Sequence, residues 1–161
     1  MENSGNTSEK LVVSFSDVNL KDLAMVGGKN ASLGELIQSL SESDVKVPEG
    51  FALTSYAYWD FIYFNNLKSA LTEILSKLDR KDFRNIEIIS DTAKKLILTS
   101  KLPEETKMQI EKEYYRMQQK YGSDTDVAVR SSATAEDLPG ASFAGQHDSF
   151  LNIRGSHSLL N

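Results

Sequence analysis

The sequence contains no cysteine, and it has only two histidines, three prolines and one tryptophan among 161 residues. Without cysteine, disulfide bonds, thiolate nucleophiles and cysteine-ligated zinc are excluded. No apolar run approaches the roughly 18 residues that span a bilayer, so we predict no membrane segment. Residues 1–10 lack a basic segment followed by an apolar one, which predicts a disordered polar tail rather than a signal peptide. These absences fit a cytoplasmic protein.

The charge balance is acidic: 18 Lys and Arg against 23 Asp and Glu give a net charge of −5 and a pI of about 5.1. This balance disfavours binding to nucleic acids and to anionic membranes, although it leaves room for a local basic pocket. The hydrophobic share of 40% and the length are those of one globular domain with a real core. We therefore expect one folded domain over residues 11–161.

Apolar patterns predict short strands at both ends of the chain and a helical middle. The predicted strands cover residues 11–15, 51–54, 127–129 and 150–153. A helix is expected to begin just after Gly27 and Gly28, and a helical region runs from about Ser55 to Tyr121. Pro103 is expected near the start of its last helix and Gly122 at its end. This order of elements predicts an α/β or α+β fold.

Aromatic residues concentrate at the start of the helical middle, around Trp59. The others are Tyr56, Tyr58, Phe61, Tyr63 and Phe64. Such a group could form a platform on which nucleic-acid bases stack. Aromatic residues at helical spacing more often belong to the core, and the core is our prediction here.

A glycine pair followed by a lysine forms the first stretch that could carry chemistry, Val26 to Gly34. Gly27 and Gly28 permit close approach of the backbone to a ligand, and the N-terminus of the helix that follows favours anions. Lys29 adds a mobile cation, so the combination suits a phosphate. The segment is not a Walker A loop, because the required spacing is absent. The alternative is a tight turn with a solvated lysine.

A second stretch follows the predicted strand that ends at Arg130. A guanidinium rooted at the end of a strand can bind phosphate oxygens through two parallel hydrogen bonds. The small and hydroxyl-bearing residues after it, from Ser131 to Gly145, could close over a polyphosphate. The alternative is a surface loop in which Arg130 pairs with Glu136 or Asp137.

Metal binding is not predicted from these residues. His147 and His157 lie ten residues apart and lack a spaced cluster of carboxylates. Glu136 and Asp137 could hold Mg²⁺, but acidic residues in such positions more often cap a turn.

Three motifs occur in order: Val26-Gly27-Gly28-Lys29-Asn30-Ala31-Ser32, Val47-Pro48-Glu49-Gly50-Phe51, and Arg130-Ser131-Ser132-Ala133 with its continuation through Gln146. Together they resemble the N-terminal part of the phosphoenolpyruvate synthases (pyruvate, water dikinases). The wider family includes pyruvate phosphate dikinase and rifampicin phosphotransferase. The resemblance covers nearly the whole chain, from about Leu11 to Gly155.

The resemblance implies the N-terminal part of an ATP-grasp-like nucleotide-binding domain with a helical insertion. It implies that Lys29 and Arg130 contact ATP phosphates, and that Gly145 and Ser149 match loop positions touching the nucleotide. We add Gly27, Gly28 and Ser131 to the expected nucleotide-binding residues.

The implied cofactors are ATP and Mg²⁺, with the metal ligands expected outside this chain. In the whole enzyme, the resemblance implies phosphoryl transfer from ATP to a histidine on a separate domain and then to pyruvate in a barrel domain. Both domains are expected to be missing here, so the chain alone should bind ATP weakly and turn over nothing. Two alternatives are an antibiotic phosphotransferase of the same superfamily and a non-catalytic regulatory module.

Overall fold

A computed structural model describes residues 10–40, 44–134 and 148–160, which form two compact units. The first, called here the discontinuous unit, contains the described residues up to Ala57 and from Glu105 onward. The second, the inserted unit, contains Tyr58–Glu104.

The described residues form four short strands and seven α-helices. The strands are β1 (Val12–Ser14), β2 (Phe51–Leu53), β3 (Asp126–Arg130) and β4 (Ser149–Arg154). The α-helices are α1 (Leu23–Val26), α2 (Gly28–Ser39), α3 (Ser55–Phe64), α4 (Leu67–Ser76), α5 (Ile86–Leu98), α6 (Glu104–Tyr121) and α7 (Gly155–Leu160). Two short 3₁₀ turns, Phe15–Asp17 and Leu20–Asp22, connect β1 to α1.

The discontinuous unit contains two separate two-stranded antiparallel sheets. In the first, β1 pairs with β2 so that Val12 lies opposite Leu53. In the second, β3 pairs with β4, with an irregularity between Val127 and Val129. Since a lone two-stranded ribbon is marginally stable, each sheet depends on the helices and side chains that pack around it.

Small apolar residues form the core beside the first sheet. Its buried members are Val13, Val18, Val26, Ala31 and Ala52. Helix α2 packs close to the 3₁₀ turn that follows β1, because a Cβ at Gly34 would lie 2.1 Å from the carbonyl oxygen of Val18. This close approach holds α2, and hence its N-terminus at Gly28, against the core.

Tyr114, on α6, connects the second sheet to its surroundings. Its side chain is buried, with 1% of its surface exposed. The Tyr114 hydroxyl donates to the carbonyl oxygen of Thr125 at 2.7 Å and accepts from the backbone N–H of Gly155 at 2.9 Å. The residue before β3 and the first residue of α7 are therefore held by one side chain.

The inserted unit is helical, with α4 packed on α5. Asn65 connects the end of α3 to Lys101: its side-chain amide donates to the carbonyl oxygens of Phe61 and Lys101, and its Oδ1 accepts from the Lys101 N–H. The two contacts with Lys101 close the unit between two segments 36 residues apart in sequence.

The prediction that the aromatic residues of α3 form core is wrong for most of them. Tyr58, Trp59, Tyr63 and Phe64 expose between 45% and 58% of their surface. Trp59 stacks on Tyr63 with ring centroids 5.7 Å apart. Aromatic and aliphatic residues surround most of this helix, so its periodicity could not show which face is buried. In the inserted unit, Ile62 of α3 is buried.

Other predicted elements agree with the structure. The helix predicted just after the glycine pair begins at Gly28, and α6 ends at Tyr121 before Gly122. Strands β1 and β2 lie within their predicted stretches, and β3 and β4 extend one residue beyond theirs at each end. Helices with two small antiparallel sheets confirm the α+β class, whereas the ATP-grasp-like arrangement stays a prediction. Apart from Lys10, the predicted tail lies outside the described residues. Across the parts of the chain that are described, the helices are too short or too polar to cross a membrane.

Candidate functional site

The glycine pair lies at the junction of two helices. Helix α1 ends at Val26, and Gly27 has φ +79° and ψ 162°, a combination open essentially only to glycine. Gly27 and Gly28 are buried, whereas the Lys29 side chain is exposed. The Ala31 N–H donates to the Gly27 carbonyl at 3.0 Å, so the first turn of α2 begins directly at the glycine pair.

The second predicted stretch begins where β3 and β4 meet at one end of their sheet. Arg130, the last residue of β3, pairs with Ser149, the first residue of β4. Residues paired in this way project from the same face of an antiparallel sheet. The next residue, Ser131, donates its N–H and its hydroxyl to the carbonyl oxygen of Asp148, at 3.2 and 3.3 Å. Arg130, Ser131 and Ser149 are therefore neighbours.

The two stretches meet, although they are more than one hundred residues apart in sequence. The Ser132 hydroxyl donates to the carbonyl oxygen of Val26 at 3.1 Å. A Cβ added at Gly27 would lie 2.4 Å from the Ser132 Oγ and 2.9 Å from the carbonyl oxygen of Ala133. The backbone that carries Lys29 therefore touches the backbone that carries Arg130.

This junction offers the chemistry that an anion requires. The first N–H groups of α2 have no partner within their helix, and the helix dipole is positive at this end. Lys29 and Arg130 add two cations from different segments, and both side chains are exposed. Ser131 and Ser149 add hydroxyl groups beside Arg130. Backbone donors, hydroxyls and two cations together suit a polyphosphate.

No metal centre accompanies this junction within the described residues, which contain no group of three His, Asp or Glu side chains that could hold an ion. The loop candidates Glu136, Asp137, Gly145 and His147 lie outside the described residues. His157 is described and lies on α7.

A separate groove of about 300 Å³ lies elsewhere in the discontinuous unit, between Glu49–Phe51 and α6. Its charged side chains pair with each other: the Lys120 Nζ lies 2.5 Å from a carboxylate oxygen of Glu49. This hydrogen bond raises the pKa of Lys120 above its ordinary value. The Glu49 motif of the sequence analysis thus lines the groove, not the glycine junction.

Two side chains at the junction were not singled out as site residues in the sequence analysis. Ser132 and Asn30 both donate to the Val26 carbonyl, and the Asn30 Nδ2 lies 2.7 Å from it. The contact of Asn30 is local, because Asn30 lies only four residues after Val26. No local pattern could reveal the contact of Ser132, because its partner lies 106 residues away.

Comparisons with known proteins first define the family to which the chain belongs. The family described as pyruvate phosphate dikinase, AMP/ATP-binding domain, matches residues 23–161. Because the match covers most of the chain, the chain belongs to this family.

The curated relatives of this chain include phosphoenolpyruvate synthases. The chain is 43% identical over 148 residues to that of Helicobacter pylori and 41% identical over 154 residues to that of Aquifex aeolicus. These matches cover 91% and 95% of this chain and 18% of each relative. The probable phosphoenolpyruvate synthase of Methanothermobacter thermautotrophicus is 40% identical over 158 residues, which are 98% of this chain and 22% of the relative. The chain thus spans about a fifth of the length of these relatives.

Proposed function

We propose that this chain binds the phosphates of ATP between the N-terminus of α2 and the adjoining ends of β3 and β4. The observation that carries the proposal is the contact of Ser132 with Val26 and Gly27, which brings together the segments holding Lys29 and Arg130. Membership of a family of AMP/ATP-binding domains supports a nucleotide as the ligand.

Each group has a distinct task in this proposal. Lys29 supplies an ammonium charge, and Arg130 supplies a planar pair of donors to phosphate oxygens. The glycine pair allows phosphate to approach the N–H groups that begin α2. Ser131 and Ser149 donate hydroxyl hydrogen bonds beside Arg130. Gly145 remains a proposed contact, and no magnesium ligand is assigned among the described residues.

The proposed reaction is that of a phosphoenolpyruvate synthase: ATP, pyruvate and water give AMP, phosphoenolpyruvate and phosphate. A phosphohistidine on another domain carries the phosphoryl group between ATP and pyruvate. Phosphoryl transfer depends mainly on positioning and on stabilising developing negative charge. Lys29 and Arg130 would do this by neutralising charge on the phosphate oxygens. The relatives favour this reaction over antibiotic phosphorylation, because those named above are synthases.

Titration of the isotopically labelled chain with MgATP, followed through its amide resonances, tests the binding site. We expect the largest shifts at Gly27–Asn30, Arg130–Ser131 and Ser149, with weak affinity. Shifts confined to the groove lined by Glu49 and α6 would place the ligand elsewhere and refute the proposal.

Charge-removing variants then test the two cations. Lys29→Met and Arg130→Met should each weaken ATP binding about tenfold or more, since each loses charged hydrogen bonds. Lys94→Met and Arg80→Met remove the same charges from exposed positions in the inserted unit and should leave affinity unchanged. Equal losses in all four variants would show only a general effect of net charge. In a full-length chain, Lys29→Met and Arg130→Met should also prevent ATP-dependent phosphohistidine formation.

A further inference from the structure

The carbonyl oxygen of Val26 accepts two side-chain hydrogen bonds, one from a residue nearby in sequence and one from a residue 106 positions away. Asn30 donates from the first turn of α2 at 2.7 Å, and Ser132 donates from the segment after β3 at 3.1 Å. A carbonyl oxygen has two lone pairs, so these two donors use its full capacity. Val26 itself is buried, with 3% of its surface exposed, and belongs to the core cluster.

This carbonyl joins the chain segment that carries Lys29 to the segment that carries Arg130. Lys29 follows Val26 by three residues, and Arg130 precedes Ser132 by two. Gly27 lies where these two segments meet. Its positive φ and its close contact with Ser132 and Ala133 leave no room for a side chain. A movement of the glycine pair away from β3 would have to break the Ser132 hydrogen bond.

We infer that Ser132 is a positioning residue for nucleotide binding, which acts by holding the Lys29 segment at a set distance from the Arg130 segment. Asn30 assists, because it orients the carbonyl that Ser132 must reach. This inference rests on the proposed function. Holding both cations in place before the ligand arrives lowers the ordering cost of binding. The effect of Ser132 should therefore depend on the phosphates of the ligand and on Lys29.

Three variants of the chain separate positioning from a general structural role. Ser132→Ala removes the hydroxyl, and Ser132→Thr restores it. Ser100→Ala is the matched control, because the Ser100 hydroxyl also donates to a backbone carbonyl, that of Leu96 at 2.7 Å, within the inserted unit. The probes are MgATP, inorganic tripolyphosphate and adenosine, each titrated against amide resonances.

We expect Ser132→Ala to weaken ATP and tripolyphosphate binding about fivefold, the scale of one lost hydrogen bond, while adenosine binding stays unchanged. Ser132→Thr should bind within about twofold of the parent chain, and Ser100→Ala should match it. Exchange of the Ala31 amide hydrogen, which bonds to Gly27, should accelerate in Ser132→Ala alone. An equal loss of affinity for all three probes would mean a merely structural role and would overturn the inference.

A double-mutant cycle with Lys29→Met completes the test. If Ser132 acts through the lysine, Ser132→Ala should have little further effect on affinity once Lys29 is gone. Fully additive losses would overturn the inference. If the parent chain binds ATP and Lys29→Met impairs it, but Ser132→Ala does not, the inference fails while the proposed function stands. If the parent chain binds neither ATP nor tripolyphosphate, both fail.

Discussion

The two units of this chain are stabilised in different ways. In the discontinuous unit, small residues let backbone segments touch: Gly34 lies against the carbonyls of Val18 and Phe15, and Gly27 lies against Ser132 and Ala133. In the inserted unit, most hydrogen bonds of side chains stay within one turn of a helix, as for Thr72 and Thr92. We therefore expect helix propensity to predict how substitutions change the free energy of unfolding in the inserted unit, but not in the discontinuous unit.

The inserted unit also exposes more apolar surface along its helices. Ile88 and Leu98 of α5 expose 69% and 82% of their surfaces. By contrast, the core cluster of the discontinuous unit consists of residues that expose 5% or less. The candidate site lies on the unit that contains this core cluster.

The largest expected change in the stability of the chain comes from adding one methyl group to a helix. An interior glycine changed to alanine usually stabilises a helix by about 1 kcal/mol. Gly34→Ala should instead destabilise the chain by about 3 kcal/mol, because the new Cβ would lie 2.1 Å from the Val18 carbonyl oxygen. Urea denaturation measures this.

Its control is Ser69→Ala on α4 of the inserted unit, an exposed position. This change should stabilise the chain by a few tenths of a kcal/mol, roughly as helix propensity predicts. If Gly34→Ala proved as stable as the parent chain, the contrast between the units would be wrong.

A smaller effect is expected from removing one hydroxyl group. Tyr114→Phe should cost about 2 kcal/mol, because the Thr125 carbonyl and the Gly155 N–H both lose their partner beside a buried ring. Tyr115→Phe, one residue along α6 at a side chain that is 62% exposed, should change stability by less than about 0.5 kcal/mol. Equal effects in the two chemical denaturation curves would contradict the role assigned to Tyr114.

The smallest effect concerns a surface ion pair of the inserted unit. Lys77 donates to Glu73 at 2.8 Å, and this hydrogen bond lowers the pKa of Glu73 below its ordinary value of 4.5. The pair therefore stabilises the fold above that pH and ceases to do so as the pH falls through the lower, folded-state pKa. Both side chains are more than half exposed, so the gain is small.

Thermal melting of the parent chain and Lys77→Met at several pH values measures this gain. The difference in Tm should be present at pH 7 and vanish as Glu73 is protonated. Lys94→Met, which removes a lysine from α5, should show no such pH dependence. A difference for Lys77→Met that persists in acid would show that Glu73 is not its partner.

Local sequence patterns predicted the helix and the strand that carry the candidate site residues. Gly28 begins a helix because a preceding glycine can adopt the positive φ that Gly27 shows, and Arg130 ends a strand that alternates in burial. Local patterns failed on α3, since aromatic and aliphatic residues around most of the helix give no sign of which face is buried. The burial of Ile62 beside exposed Tyr58 and Tyr63 depends on what packs against the helix.

By itself, the sequence determined that Lys29 stands at a helix N-terminus, that Arg130 stands at a strand end, and to which family the chain belongs. The two positions are properties of short segments, because backbone sterics and hydrogen bonding set them within a few residues. Only the tertiary structure decided that Ser132 bonds to Val26, that Gly27 must lack a side chain beside it, and that Ser149 faces Arg130. Such contacts join distant segments, and they depend on how the whole chain packs.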